Sequence, residues 1–107
     1  MDAQLKRGLL DLCVLAAMRG GDAYGYQLIR DISPHIEISE STLYPILKRL
    51  ESAGCVSSYS IEHNGRLRRY YRLEAPGRDR LREFCEESEQ LVDILDWIRK
   101  ENPDETK

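Results

Sequence analysis

The stretch Val56-Ser57-Ser58-Tyr59-Ser60-Ile61-Glu62-His63-Asn64-Gly65-Arg66-Leu67-Arg68-Arg69-Tyr70-Tyr71-Arg72-Leu73 decides the fold. Its two halves, Val56 to His63 and Arg66 to Leu73, are rich in Val, Ile, Tyr and Ser and flank Asn64-Gly65. Asparagine and glycine tolerate the positive φ angles of a two-residue turn, so the spacing predicts a β-hairpin.

Upstream of the hairpin the pattern is helical. Gln4 to Arg19 carries Leu5, Leu9, Leu10, Leu12, Val14, Leu15 and Met18 on nearly every face. A helix buried from several sides is expected there, ended by Gly20-Gly21. A short helix is expected from about Tyr24 to Ile32, with Leu28, Ile29 and Ile32 inward and Ser33-Pro34 stopping it. A third begins at Ser39 or Ser41 and runs to Ala53 before Gly54. Pro45 favours the later start, because proline is tolerated in a first turn and costly deeper. At 100° per residue, Leu43, Ile46, Leu47 and Leu50 form one inward stripe, with Ser41, Pro45, Lys48 and Ser52 opposite.

Downstream, Pro76 opens a long helix from Gly77 to Lys100, whose Leu81, Phe84, Leu91, Leu95 and Ile98 step by three and four with Ser88 in register. That seam has no equally long partner within the chain except the mostly buried first helix, so a second copy is expected to cover it. Three helices followed by a hairpin is the order of a winged helix-turn-helix. The fold expected is therefore mainly α with a small β-hairpin, one winged helix-turn-helix DNA-binding domain over residues 1–75. A C-terminal dimerisation helix over 76–101 and a frayed polar tail over 102–107 complete it.

Composition narrows the classes. A chain of 107 residues suits one domain. No apolar run approaches the roughly 20 residues of a bilayer span, and Met1 to Arg7 lacks a signal-peptide core, so a soluble, cytoplasmic protein is expected. Cys13, Cys55 and Cys85 are an odd number at wide spacing in apolar-patterned segments and are read as free buried thiols. His35 and His63 have no ligands at metal spacing, and no nucleophile, base and orienter stand together. Neither a metal site, a cofactor nor catalysis is expected. Net charge is −3, which opposes polyanion binding until its distribution is read. Between Lys48 and Arg82 nine basic residues meet four acidic ones, and beyond Arg82 nine acidic residues meet three basic ones. A basic middle between acidic ends fits a protein that lays one surface on DNA.

Ala23-Tyr24-Gly25-Tyr26-Gln27-Leu28, then Ser39 to Glu51 with its Thr42-Leu43-Tyr44-Pro45 core, then Arg68-Arg69-Tyr70-Tyr71-Arg72-Leu73, resemble the PadR family of transcription regulators over residues 5 to 80. The short remainder resembles the subgroup with a single C-terminal helix. The resemblance implies a dimeric repressor of neighbouring genes, some members responding to phenolic acids or planar drugs. It also implies that the third helix enters the major groove. Glu74 stands where the family often has a threonine that would cap the last helix, and Ser41 where glycine is common.

The candidate DNA contacts are Ser41, Thr42, Tyr44, Lys48 and Arg49 on the third helix, and Arg66, Arg68 and His63 on the wing. Tyr24, at the start of the short helix, is a candidate phosphate contact. Arg69 and Arg72 either join them or pair with acidic neighbours. At least one of Tyr70 and Tyr71 belongs to the core, since they alternate across the strand. Trp97 lies off the seam and is expected to pack on the partner's first helix. Stacking on a small aromatic effector is the alternative that the resemblance opens. The competing class is a winged-helix module that binds another protein, whose wing would expose apolar residues in place of the cations.

Overall fold

The computed structural model describes residues 1–100, so the expected tail over 102–107 lies outside the described residues. These residues form α1 (Ala3–Ala17), β1 (Ala23–Tyr24), α2 (Gly25–Ile32), α3 (Glu40–Ser52), β2 (Val56–His63), β3 (Arg66–Leu73) and α4 (Ala75–Arg99). The strands make one antiparallel sheet in the order β1-β3-β2.

The hairpin forms in the register its sequence dictates, from Val56 opposite Leu73 to His63 opposite Arg66. Asn64 and Gly65 both take positive φ, 52° and 78°, which is the two-residue turn whose twist matches the strands. β1 is not legible in the sequence, because two residues carry no alternation. Ala23 and Tyr24 become a strand only because they meet Tyr71 and Tyr70 of β3.

Asp2 caps α1 by accepting from the Gln4 and Leu5 N–H groups. The helix is covered from Leu9 onward, whereas Leu5, counted among the apolar residues of a helix buried from several sides, stays exposed. Its end also differs: α1 stops at Ala17, and the glycine with positive φ is Gly21, four residues on. α3 starts at Glu40 with Ser39 as N-cap, the earlier of the two starts, so Pro45 lies in the second turn. The missing proline N–H leaves the Ser41 carbonyl without its helical donor. Both residues are exposed, where water can serve that carbonyl. At the other end Gly54 adopts φ 76°, the Cys55 N–H reaches the Leu50 carbonyl and the Gly54 N–H reaches that of Glu51, a Schellman cap.

The core lies between α1, α2, α3 and one sheet face. Val14, Leu15, Leu28, Leu43, Leu47 and Leu50 are fully buried, and the whole predicted α3 stripe points inward. α4 joins through Gly77, where a side-chain carbon would collide with the Cys55 carbonyl and Leu73. Glu74 does not cap α4 with its side chain; its carboxylate accepts from the Ser57 hydroxyl instead. Beyond Leu81 the helix leaves the core, giving the chain a 66 Å long axis.

Candidate nucleic-acid interface

The exposed face of α3 begins with hydroxyls. Ser39 Oγ lies 3.0 Å from Ser41 Oγ and 3.2 Å from Thr42 Oγ1. Ser41, Tyr44 and Lys48 are exposed on one side of the helix; Thr42, also exposed, is turned from them toward the groove between α1 and α3. Tyr44 does not simply project outward: its hydroxyl and ring lie against Gly25, at the first turn of α2, where a methyl group would overlap them.

Beside Gly25, Tyr24 is held as the N-cap of α2 by its N–H, which donates to Gln27 Oε1. The Arg68 guanidinium sits 4.2 Å from the centre of the Tyr24 ring, and Tyr70 meets that ring edge-on at 5.5 Å. Tyr59 stacks on Tyr70 at 5.7 Å, and Arg72 covers Tyr59 at 5.3 Å. Strand alternation explains this ladder, since residues 68, 70 and 72 of β3 share one face. Tyr71 and Leu73 occupy the core face. At the far end of the ladder Asp22 accepts from Arg72 and from the Tyr59 hydroxyl. Those bonds, Arg72 first, hold the Asp22 carboxyl below the usual aspartate range. The bond to Asp22 in turn pushes the Tyr59 phenol up, and desolvation acts chiefly to push up Tyr71.

A groove of about 580 Å³ runs between α3 and β3, lined by Tyr44, Lys48 and Ser52 on one side and Arg69 and Tyr71 on the other. Arg69 donates across it to Glu51 and, on the sheet, to Ser58 of β2. The cations thus divide. Arg49 pairs with Asp11 at 2.7 Å, Arg69 with Glu51 at 3.3 Å and Arg72 with Asp22 at 3.0 Å. Lys48, Arg66 and Arg68 have no carboxylate partner among the described residues. Arg69 and Arg72 therefore take the acidic pairings, and so does Arg49, which the sequence pointed at DNA. His63 and Arg66 face each other across the hairpin turn, both exposed. Asp11, Asp22, Gly25 and Tyr59 carry no signal as site residues in the sequence, because the partners that make them part of the site are distant along the chain, 38 residues for Asp11 and Arg49 and 50 for Asp22 and Arg72.

On α4 the expected seam divides. Leu81 is buried in the chain's own core and is not free for a partner, whereas Phe84 is half-buried. Leu91, Leu95 and Ile98 are exposed together with Val92 and Ile94, so the apolar face is broader than a narrow seam. Trp97 is 75 % exposed, close to this face. The cysteines are free, but only Cys55 is buried; Cys13 is half-buried, its thiol pushed up by desolvation, and Cys85 is exposed on α4. Among the described residues no helix is long and apolar enough to cross a membrane, and no acidic, histidine or cysteine group clusters as a metal site.

The model of the transcriptional regulator PadR-like family matches residues 14–83. A transcriptional regulator of Mycobacterium tuberculosis is 34% identical over 90 residues, covering 83% of this chain and 84% of its own. Among solved structures, a transcriptional regulator from Clostridium thermocellum superposes with a TM-score of 0.82 at 31% identity, over 94% of this chain and 99% of that one. A PadR family transcriptional regulator from Eggerthella lenta gives 0.80 at 36% identity, over 92% and 88%. With its hairpin wing, its three-helix core and its long last helix, the chain belongs to the PadR-like family of transcriptional regulators.

Proposed function

We propose that this regulator binds double-stranded DNA sequence-specifically as a homodimer and acts as a repressor on a palindromic operator. One observation carries the reading: the surface is continuous from Tyr44 on α3, through Gly25 and Tyr24, to Arg68 on the wing. Hydroxyl donors at the N-terminal end of a groove-sized helix suit base edges, and unpaired cations on either side suit phosphates. Ser41, Thr42 and Tyr44 read bases in this arrangement; Lys48, Arg66, Arg68, His63 and the Tyr24 region hold the backbone. Arg49 is withheld by Asp11. The apolar face around Leu91, Leu95 and Ile98 is the surface a second copy covers, and a palindromic operator asks of that dimer two α3 helices about 34 Å apart, one turn of DNA. A small aromatic effector stacking on Trp97 is compatible with its exposure, and the cytoplasm is where such a protein acts.

A protein-binding wing is the second reading, and Leu67, 76 % exposed beside Arg66, is the observation in its favour. Binding of the full chain to the DNA upstream of its own gene separates the two. Protection of a two-fold symmetric site by a dimer supports the proposal. Absence of salt-sensitive binding to any DNA, in a dimer that sediments normally, favours the protein partner.

A further inference from the structure

Among the described residues Asp11 is the one charged residue in the core, 8 % exposed, and it sits on the face of α1 that meets both α3 and α4. Its Oδ1 accepts from Arg49 of α3 at 2.7 Å, and its Oδ2 lies 3.5 Å from the Arg80 guanidinium of α4. A single buried carboxylate thus joins the exposed-face helix of the interface to the long helix, each through its own oxygen. Burying an unpaired carboxylate is costly, so both guanidinium groups are held to it. Along α3, Arg49 is one turn beyond Pro45 and adjacent to Lys48, near enough to the outward face to reach a phosphate if released. The groove beside it, about 350 Å³ between α1 and α3, is lined by Lys6, Arg7 and Thr42 as well as Arg49.

Resting on the DNA-binding reading, we infer that Asp11 is a positioning and specificity-determining residue: it fixes α3 against α4 and withholds the Arg49 charge from DNA. With Asp11 replaced by Asn, Arg49 joins Arg7 on that groove, where Lys6 is paired with Glu37 at 3.5 Å, and grips phosphate without regard to sequence. Selectivity falls while attraction to any duplex rises. A residue needed only for folding would weaken all binding instead. Because Arg80 shares the carboxylate, displacement of α4 is felt directly at α3.

The test uses the full chain with Asp11→Asn, Arg80→Gln, and Asp11→Asn combined with Arg49→Gln, each first checked for helicity and dimer by circular dichroism and sedimentation. Binding to an operator fragment and to random duplex is measured across salt concentrations, with amide hydrogen exchange on the free proteins. Asp11→Asn is expected to steepen the salt slope on random DNA by about one unit per protomer. The operator-to-random ratio is expected to fall several-fold, and the added Arg49→Gln to return the slope to its original value. Exchange should quicken in α3 for Asp11→Asn and Arg80→Gln, and stay unchanged in the hairpin. An unchanged slope and ratio in a folded Asp11→Asn dimer, or uniform weakening without a slope change, overturns the inference. If the unaltered protein shows no salt-dependent binding, the DNA reading itself fails. Unchanged α3 exchange in both variants overturns the positioning role, whether or not DNA binds.

Discussion

The Arg68 guanidinium carbon lies 4.2 Å from the centre of the Tyr24 ring, so the wing's central cation is seated on the residue that ends β1 and caps α2. An arginine held this way loses less freedom when it meets a phosphate than one on a free stem. Replacing Tyr24 with Leu keeps the cation and removes its seat. Affinity for all duplex DNA is expected to fall about 2- to 5-fold, the scale of an exposed cation–π interaction of about 0.5–1 kcal/mol. The salt slope should stay the same, because no charge is removed; a reduced slope would mean that Arg68 no longer reaches the DNA.

Gly25 and Tyr44 give a second test. A methyl group on Gly25 meets the end of a movable side chain, not backbone, so Gly25→Ala should fold with little loss while displacing Tyr44 from its place. If Tyr44 reads a base, the operator complex weakens by about 1–3 kcal/mol and random DNA binding is spared. Equal affinity for both DNAs before and after the change would remove Tyr44 from base recognition.

Gly77 behaves differently, because there the added carbon meets the Cys55 carbonyl and buried Leu73. Overpacking of this kind costs about 1–3 kcal/mol. The alanine gains about 1 kcal/mol of helix propensity in α4, too little to reverse the sign in the upper part of that range. Gly77→Ala should lower the thermal midpoint by several degrees; an increase would show that α4 can lift off the core without cost.

The Asp22 cluster sets a pH dependence. Its carboxyl titrates lower folded than unfolded, so its stabilisation is present above the ordinary aspartate value near ~3.9 and is lost as pH falls through the folded one. Tyr59 titrates higher folded than unfolded, so its share is present below about pH 10 and is lost as pH rises through the folded value. The stability gap between the protein and Asp22→Asn, measured by urea unfolding, should be flat from about pH 5 to 8 and shrink below about pH 4. A gap that widens in acid would contradict the pairing with Arg72.

What the sequence could state was what local chemistry decides. The Asn64-Gly65 turn, the strand register it imposes, the inward stripe Leu43, Ile46, Leu47 and Leu50, and the exposure of Ser41, Thr42 and Lys48 all follow from period and turn type. What it could not state was pairing at a distance. Arg49 and Lys48 are neighbours of equal charge, and only the fold brings Asp11, 38 residues earlier, to one and not the other. Leu81 fits the spacing of a dimer seam as well as Leu91 does, yet the approach of α4 at Gly77 draws it into the core. The start of α3 falls earlier than Pro45 suggests, because propensity weighs the proline without knowing that the orphaned Ser41 carbonyl faces water.

DNA recognition by α3 and the wing is tested most directly by the salt dependence of binding to operator and random duplexes, for the protein and for Arg66→Ala and Thr42→Ala. Arg66→Ala should weaken both complexes alike and lower the slope by about one unit for each phosphate left unneutralised. Thr42→Ala should leave the slope alone and cost about 1–3 kcal/mol on the operator only. Unchanged affinity and unchanged slope in both variants, while the unaltered dimer still binds, would contradict DNA recognition through this surface.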